Sequence, residues 1–510
     1  MSLHQKHLLS VAPFLVAACA VESLDPGAPG APGAEAAAAG RADAAADGAA
    51  PVGAADAGGV VITDGANAPG SDAGPATPSS ATAAGSGVAP GVPTVCGKTY
   101  YGDPQTYRAE LARLAPGDAL VLAPGTYDPG ANPPGLPIFG LHGAPGCPTV
   151  IMGDPNKPRP VFLGNGSYNT IRLNDASHVV IRHLEIDGRD LGGDGVNAQG
   201  VAHHITLEDL YVHGVGSDQQ IVGISTKAPT WNFTIRGCEV SGAGTGMYLG
   251  NSDGTDPFVA GLLEHNYVHD TIGYNVQIKH QVARATVAGM PTNPNTTVLR
   301  HNVLMKGANS STGGLARPNL LLGDVPPSGA GSSDDYLVYG NFFYRNPTEN
   351  LFQAEGNVSA YHNVFFNDQG GAILIQPHNG KVRDVFVFEN TVVVSSGGVS
   401  VAGGAAGTTQ RVSGNVVYGG SLAGPNASDN VVGSVAAAAA ALNAPTGALG
   451  TLDLSPKAGA LGGAPLAASA RKGLDADLDF NGIGHGHTVR GAYGAQGKNP
   501  GWVLGASRKP

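Results

Sequence analysis

Charge is scarce in this chain. Of 510 residues only 13% are charged, and acidic residues outnumber basic ones 39 to 28. At a net charge of −11 there is no basic stripe to displace counterions, which excludes nucleic acid as a partner. Cysteine is scarcer still: four residues are too few to build a disulfide scaffold. No apolar run reaches the roughly 18 to 20 residues of a transmembrane span. No amphipathic helix fits between the apolar stretches of the middle region, which excludes a helical repeat. What the chain has in quantity is glycine, 78 residues, and proline, 37, over a length sufficient for one large solenoid with flanking segments.

The middle of the sequence repeats. Leu299-Arg300-His301-Asn302-Val303-Leu304 has counterparts at 263–268, 338–343, 360–365, 387–392 and 412–417. These align Asn266, Asn302, Asn341, Asn363, Asn390 and Asn415 in one column, which Leu184, Leu210 and Cys238 extend toward the N-terminus. Column positions are 26, 28, 28, 36, 39, 22, 27 and 25 residues apart, and the residue two places further on is apolar each time. Each copy is therefore one unit of short β-branched or aromatic runs separated by turn residues. Asparagine suits a tight turn because it tolerates the left-handed conformation, and at a coil spacing of about 4.8 Å such side chains can hydrogen-bond along the column. They are expected to build the coil and to do no chemistry. On this pattern the chain resembles an all-β fold, the right-handed parallel β-helix of the pectin-lyase-like architecture, over residues 95–420.

The flanks differ in composition. Residues 1–19 combine Lys6, an apolar core at 8–18 and Val16-Ala17-Ala18-Cys19, and resemble a bacterial lipoprotein signal. That resemblance implies cleavage before Cys19, lipidation of its sulfur and an outer-membrane anchor, periplasmic or at the cell surface. An ordinary signal peptide is the alternative. Residues 20–94 are Ala, Gly, Pro and Asp with almost no large apolar residue, and are expected to be a disordered tether. A short helix over 106–114 would cap the first coil. The following Pro116-Gly117-Asp118 and Gly125-Thr126-Tyr127 resemble the entry of secreted β-helices that include polysaccharide lyase family 6. Cys96 and Cys147 flank this cap and suit a disulfide in an oxidising compartment, while Cys238 reads as a lone small residue. Residues 421–510, where the repeat fades, are expected to form an irregular C-terminal cap. There Asp477, Asp479 and Asn481 begin like an EF-hand loop, but Thr488 stands where a bidentate Glu is required.

A third strand per coil is expected at 223–227, 247–251, 276–280, 320–324, 351–355 and 373–377. Alternation puts Val276 and Ile278 inside, hence Gln277 and Lys279 outside, with Gly250 and Gly323 beside Lys279. The external column through Gln277 would hold Tyr248, Leu321, Phe352 and Leu374, an apolar stripe suited to sugar rings. Asp253, His280, Asp324, Glu355 and His378 gather near the same edge. Loops at 281–295 and 325–335, from the two longest spacings, would wall a groove. Cleavage of a uronic-acid polymer by β-elimination needs a base at C5, neutralisation of the carboxylate and a proton for the leaving oxygen. Resemblance to lyases of this architecture implies Lys279 as base and His280 or Tyr274 as proton donor. On the same chemistry Asp253, Asp324 or Glu355 would hold a calcium that grips the carboxylate, and Tyr248, Gln277, Phe352 and His378 would contact the sugar. A lysine base must be neutral, so its pKa has to fall from about 10.4 by about two to three units. The Glu pair and the next-coil arginine of family 6 are missing, Leu320-Leu321-Leu322-Gly323 standing in the arginine's place. A polygalacturonase-type hydrolase requires G-H-G before R-I-K, whereas Gly484-His485-Gly486 follows Gln277-Ile278-Lys279. The expectation is a membrane-tethered monomer acting on acidic polysaccharide as a lyase, with a non-catalytic carbohydrate-binding or adhesion protein as the competing class.

Overall fold

The computed structural model describes residues 95–510; Cys19, the signal and the 20–94 tether lie outside the described residues. Three parallel sheets of 15, 12 and 11 strands run along the molecule. One strand from each sheet completes a coil, as in Leu262–Glu264, Tyr267–His269 and Val276–Ile278. The result is a right-handed parallel β-helix, the hand that parallel crossovers take. Strands are short because each coil turns after only one or two inward side chains. Leu263, Val268, Val276 and Ile278 are the inward set of one coil, all at 2% exposure or less. Successive coils stack like on like inside, with the rings of Phe343 and Phe365 parallel at 4.5 Å.

The asparagine column stands at the corner between the first and second sheets. Asn363 is fully buried. Its Nδ2 donates to Val338 O at 2.8 Å and to Asn390 Oδ1 at 3.0 Å. Its Oδ1 accepts from Asn341 N at 3.0 Å and Asn341 Nδ2 at 2.9 Å. The same bonds repeat from Asn266 to Asn430, one rung beyond the column read from the sequence. The left-handed residue of the turn is not the asparagine but the one before it. His183, Asp209, Gly237, His265, His301, Gly340, His362, Glu389 and Gly414 have φ between 49° and 68°. Asparagine is thus placed for its two-sided amide. A shorter ladder serves the corner between the second and third sheets, where Asn346 Nδ2 donates to Asn319 Oδ1 at 3.0 Å and Asn346 N to Asn367 Oδ1 at 3.2 Å.

At the N-terminal end the helix is Tyr107–Leu111, shorter than the expected 106–114. Tyr107 is buried edge-on to Tyr127 and Phe162, and its hydroxyl donates to Gly135 O at 2.6 Å. Cys96 and Cys147 are bridged, and Cys238 is free and buried. At the other end the coil continues past residue 420: Ser421–Ala423, Ala427–Ser428 and Val431–Gly433 pair with the coil before. The C-terminal segment beyond Gly433 does more than close an end. It turns back along the outer side of the second sheet, where Leu452, Leu461, Phe480, Tyr493 and Leu504 pack on Val303, Phe342, Tyr344 and Val364. Arg508 reaches Asp209, 299 residues earlier, at 3.0 Å. The cause lies in the later strands of the second sheet, such as Val303–Met305, Phe342–Tyr344 and Val364–Asn367, which carry large apolar residues on both faces and so need a cover outside as well as a core inside.

Removing one rung of the ladder strands donors on one coil and acceptors on another. Asn363→Ala is expected to cost about 3 kcal/mol or more, because several buried polar groups lose their partners together. Asn430→Ala, on the half-buried last rung, should cost about 1 kcal/mol. The shift in urea midpoint of the two variants measures the difference, and equal shifts would show that the buried ladder is not the stabilising element.

Candidate functional site

The residues expected to form a site lie on and beside the outer face of the third sheet. Its register aligns Tyr248, Gln277, Leu321, Gln353 and Leu374 in one column. Phe352 is therefore not in it: it pairs with Leu320 and Ile373, is fully buried and belongs to the core. The expectation of an outward Phe352 is therefore corrected: Gln353 stands at that position of the outer column. Leu351 and Phe352 are both buried, so the apolar run does not say where alternation begins, and a one-residue slip exchanges the two faces. The same slip applies to 223–227, where Ile224, not Gly223, pairs with Met247.

Lys279 stands just beyond the strand Val276–Ile278, its amide donating to Leu249 O at 2.8 Å. Gly250 and Gly323 flank it as expected. A Cβ on Gly250 would lie 3.2 Å from Lys279 Cβ, and one on Gly323 only 2.2 Å from His280 N. The chain therefore passes Lys279 with bare backbone on either side. The Nζ lies 5.8 Å from the ring centre of Tyr248 and makes no hydrogen bond or ion pair among the described residues. Burial lowers the Lys279 pKa, the Glu355 carboxylate opposes that, and the Arg317 guanidinium lowers it further. Arg317 itself lies over Tyr274, 5.8 Å from the ring centre. Burial pushes Tyr248 up to about 12 and raises Tyr274. His280 is lowered by burial and by Lys279. The structure thus sets Lys279 beside Tyr248 and next to His280 after the strand, and Tyr274 before it under Arg317.

Arg317 escaped the sequence reading because the 39-residue spacing was assigned to an insertion after the third strand. Part of that insertion comes before it, at 306–319, and crosses the corner between the second and third sheets. There Ser311 N donates to Ile272 O at 2.9 Å. The available signal was that Arg317 is the sole basic residue between Lys306 and Arg345. The loops 281–295 and 325–335 lie at the opposite edge. Arg284 and Asp334 clasp them together, and Met290 packs on Trp231 and Val259.

The carboxylates expected to hold calcium have other partners. Glu355 Oε2 accepts from His378 N at 3.0 Å and Gly380 N at 2.8 Å, and Oε1 from Asp324 N at 3.3 Å. Asp324 accepts from Val325 N and Lys381 N, both at 2.8 Å, and pairs with Arg383 at 3.2 Å. Both acids order the 378–383 turn. Asp253 is exposed and accepts from Thr255 N at 3.0 Å. Among the described residues, the side chains that converge tightly enough for one ion lie elsewhere. His378 is exposed and is tied to Glu355 through its backbone; Gln277 points outward but is buried. A cavity of about 620 Å³ opens on the other side of the 306–319 segment, lined by Tyr267, His269, Lys306, Tyr344 and Arg345. There Lys306 donates to Arg317 O at 2.9 Å, and burial pulls its pKa down to about 7.

No family model matches the chain, and no curated protein sequence matches it. Among solved structures it is similar to an alginate lyase from Paenibacillus sp. str. FPU-7, at 14% identity and TM-score 0.42, over 66% of this chain and 98% of that one. It is also similar to a GH136 lacto-N-biosidase from Eubacterium ramulus, at 13% identity and TM-score 0.47, over 66% of this chain and 68% of that one. A third likeness is to pectate lyase Pel9A, at 15% identity and TM-score 0.41, over 81% of this chain and 97% of that one.

The electrostatics of Lys279 can be measured directly. In competitive acylation with acetic anhydride, its reactivity should rise with a midpoint below the ordinary 10.5. Arg317→Gln should move that midpoint upward, because a neighbouring cation no longer penalises the charged amine. An unchanged midpoint would place Arg317 too far away to matter.

Proposed function

We propose that the face around Lys279 binds an acidic, uronate-containing polysaccharide and cleaves it by β-elimination. The observation that carries this reading is a half-buried lysine, unpaired with any carboxylate among the described residues, standing between two glycines beside Tyr248, its pKa lowered by burial and by Arg317. A uronate carboxylate approaching this cluster would meet Arg317, which draws charge from the carboxylate as the C5 proton becomes acidic. Neutral Lys279 takes that proton, the C4–O bond breaks as the C4–C5 double bond forms, and Tyr274 or His280 returns a proton to the departing oxygen.

A non-catalytic binding protein is the second reading, and one observation favours it. Asp324 and Glu355 are committed to a turn, so calcium would have to displace backbone donors to reach them. In either reading the chain acts as a monomer held by a lipid at Cys19 on the outer membrane, with the 20–94 segment providing reach.

The test is ultraviolet absorbance of the unsaturated product on alginate, pectate and chondroitin, with and without calcium. Activity should increase with pH as Lys279 loses its proton. Lys279→Ala should lower kcat by at least about 100-fold, the usual contribution of a general base. Arg317→Ala should lower kcat as well, because the developing charge loses its partner and the Lys279 pKa rises. Binding to one of these polymers without any absorbance rise would establish the second reading in place of the first.

A further inference from the structure

Gly484-His485-Gly486 plays no part in the groove. It lies where the C-terminal segment meets the coil, and brings His485 and His487 onto His362 and Glu389. The latter pair occupy the left-handed turn position on consecutive coils, with φ of 49° and 50°. We infer that His362, Glu389, His485 and His487 bind one divalent transition-metal ion, best matched by zinc, which staples the C-terminal segment to the solenoid.

Geometry comes first. Ligand atoms of the four side chains all lie within 4.8 Å of one another. Glu389 Oε2 is 3.1 Å from His362 Nε2 and 2.9 Å from His487 Nδ1, and Oε1 is 3.8 Å from His485 Nδ1. A tetrahedral ion with bonds of about 2.0 to 2.1 Å spaces its ligands about 3.3 Å apart, so small adjustments admit one. All four residues are buried, at 1%, 0%, 3% and 7% exposure in chain-number order.

Two further observations point to a cation. Glu389 Oε1 is buried without a hydrogen-bond partner. An unpartnered carboxylate oxygen at zero exposure is costly, and a metal bond removes that cost. The outward nitrogens of two rings are held as metal-bound imidazoles usually are, by a carboxylate and a backbone carbonyl. His487 Nε2 lies 3.0 Å from Asp477 Oδ1, and His485 Nε2 donates to Gly491 O at 3.1 Å. That second bond puts the proton of His485 on Nε2 and turns its Nδ1 lone pair inward, where it accepts the His487 N–H at 3.0 Å. Metal binding exchanges this contact for a stronger one. Arg471 closes the outer side, abutting His487 Nε2 and pairing with Asp477 at 3.1 Å.

Ligand chemistry selects the ion. Three imidazoles and one carboxylate suit zinc, and calcium, which takes oxygen ligands, is excluded. Four protein ligands leave no open position for a reacting water, so the site is structural.

The experiment uses the purified full chain, stripped with chelator, incubated with zinc chloride, desalted, and analysed by inductively coupled plasma mass spectrometry. Wild type should retain one zinc per chain and show a rise in Tm on zinc addition. Glu389→Gln and His485→Ala should retain less than about a tenth as much. His203→Ala, in the partly exposed trio His178, His203 and His204, should retain the full equivalent. Cobalt(II) in place of zinc should give the intense visible bands of a four-coordinate nitrogen and oxygen site. Folding of each variant is checked by circular dichroism, and wild type alone suffices to refute the proposal. A folded, stripped wild-type chain that retains no zinc and whose Tm ignores it would make the cluster a hydrogen-bonded network only. Equal retention by wild type and Glu389→Gln would place the ion elsewhere.

Discussion

Every coil of this molecule must turn a buried corner between its first and second strands, and the backbone groups at that corner are out of reach of water. The asparagine amide solves this because it offers two donors and an acceptor oxygen in one plane. Each side chain reaches back to a carbonyl of the preceding coil while its oxygen receives the backbone and side-chain N–H of a neighbouring rung. The ladder fixes the axial register of the coils, and through that register it fixes which residue stacks on which in all three sheets. Where it is absent, at Leu184, Leu210 and Cys238, apolar side chains fill the column instead, fully or almost fully buried. The corner can be packed or hydrogen-bonded, but it cannot be left empty.

Register then assigns the faces. From Val303 to Tyr418 the outer face of the second sheet carries mostly large apolar side chains, and the returning C-terminal segment covers them. Residues at the left-handed position point away from the corner and become its docking points. His265 and His301 both contact Lys509, and Gly340 O accepts from Lys509 Nζ at 2.8 Å. Burial there pulls the Lys509 amine down to about 7. Among the described residues, the returning C-terminal segment packs on the second sheet and not over Lys279. The outer column of the third sheet mixes Tyr248, Gln277, Leu321, Gln353 and Leu374, neither apolar enough to demand a partner nor charged enough to repel a sugar.

What could be read from the sequence was what depends on one coil at a time. The asparagine column, the strand triplets and the glycines beside Lys279 are local patterns repeated at a countable spacing, and they located the fold and the lysine. Phe352 was misplaced because Leu351 and Phe352 are both apolar and both buried, so nothing local distinguishes the inward residue from the one at the corner. Asp324 and Glu355 looked like free ligands because their partners, the amides of 378–381 and Arg383, come from later coils. The left-handed position was marked by Gly237, Gly340 and Gly414, yet the histidines and acids sharing it concealed the rule.

Scarcity of charge gives the placement of the remaining charges its meaning. An ionisable group withdrawn from water must be paired, neutralised or put to use. Glu208 is paired, with Arg236 at 2.7 Å, and Arg284 and Asp334 hold two loops together. Asp324 and Glu355 are taken up by turn amides. Lys279 follows none of these courses: it is half-buried, lacks an ion-pair partner among the described residues, and feels the Arg317 guanidinium as a further cation. A protein that used this position only for packing would gain by placing a neutral side chain there. Keeping a lysine imposes a standing electrostatic cost, and an incoming carboxylate is the ligand that would offset it.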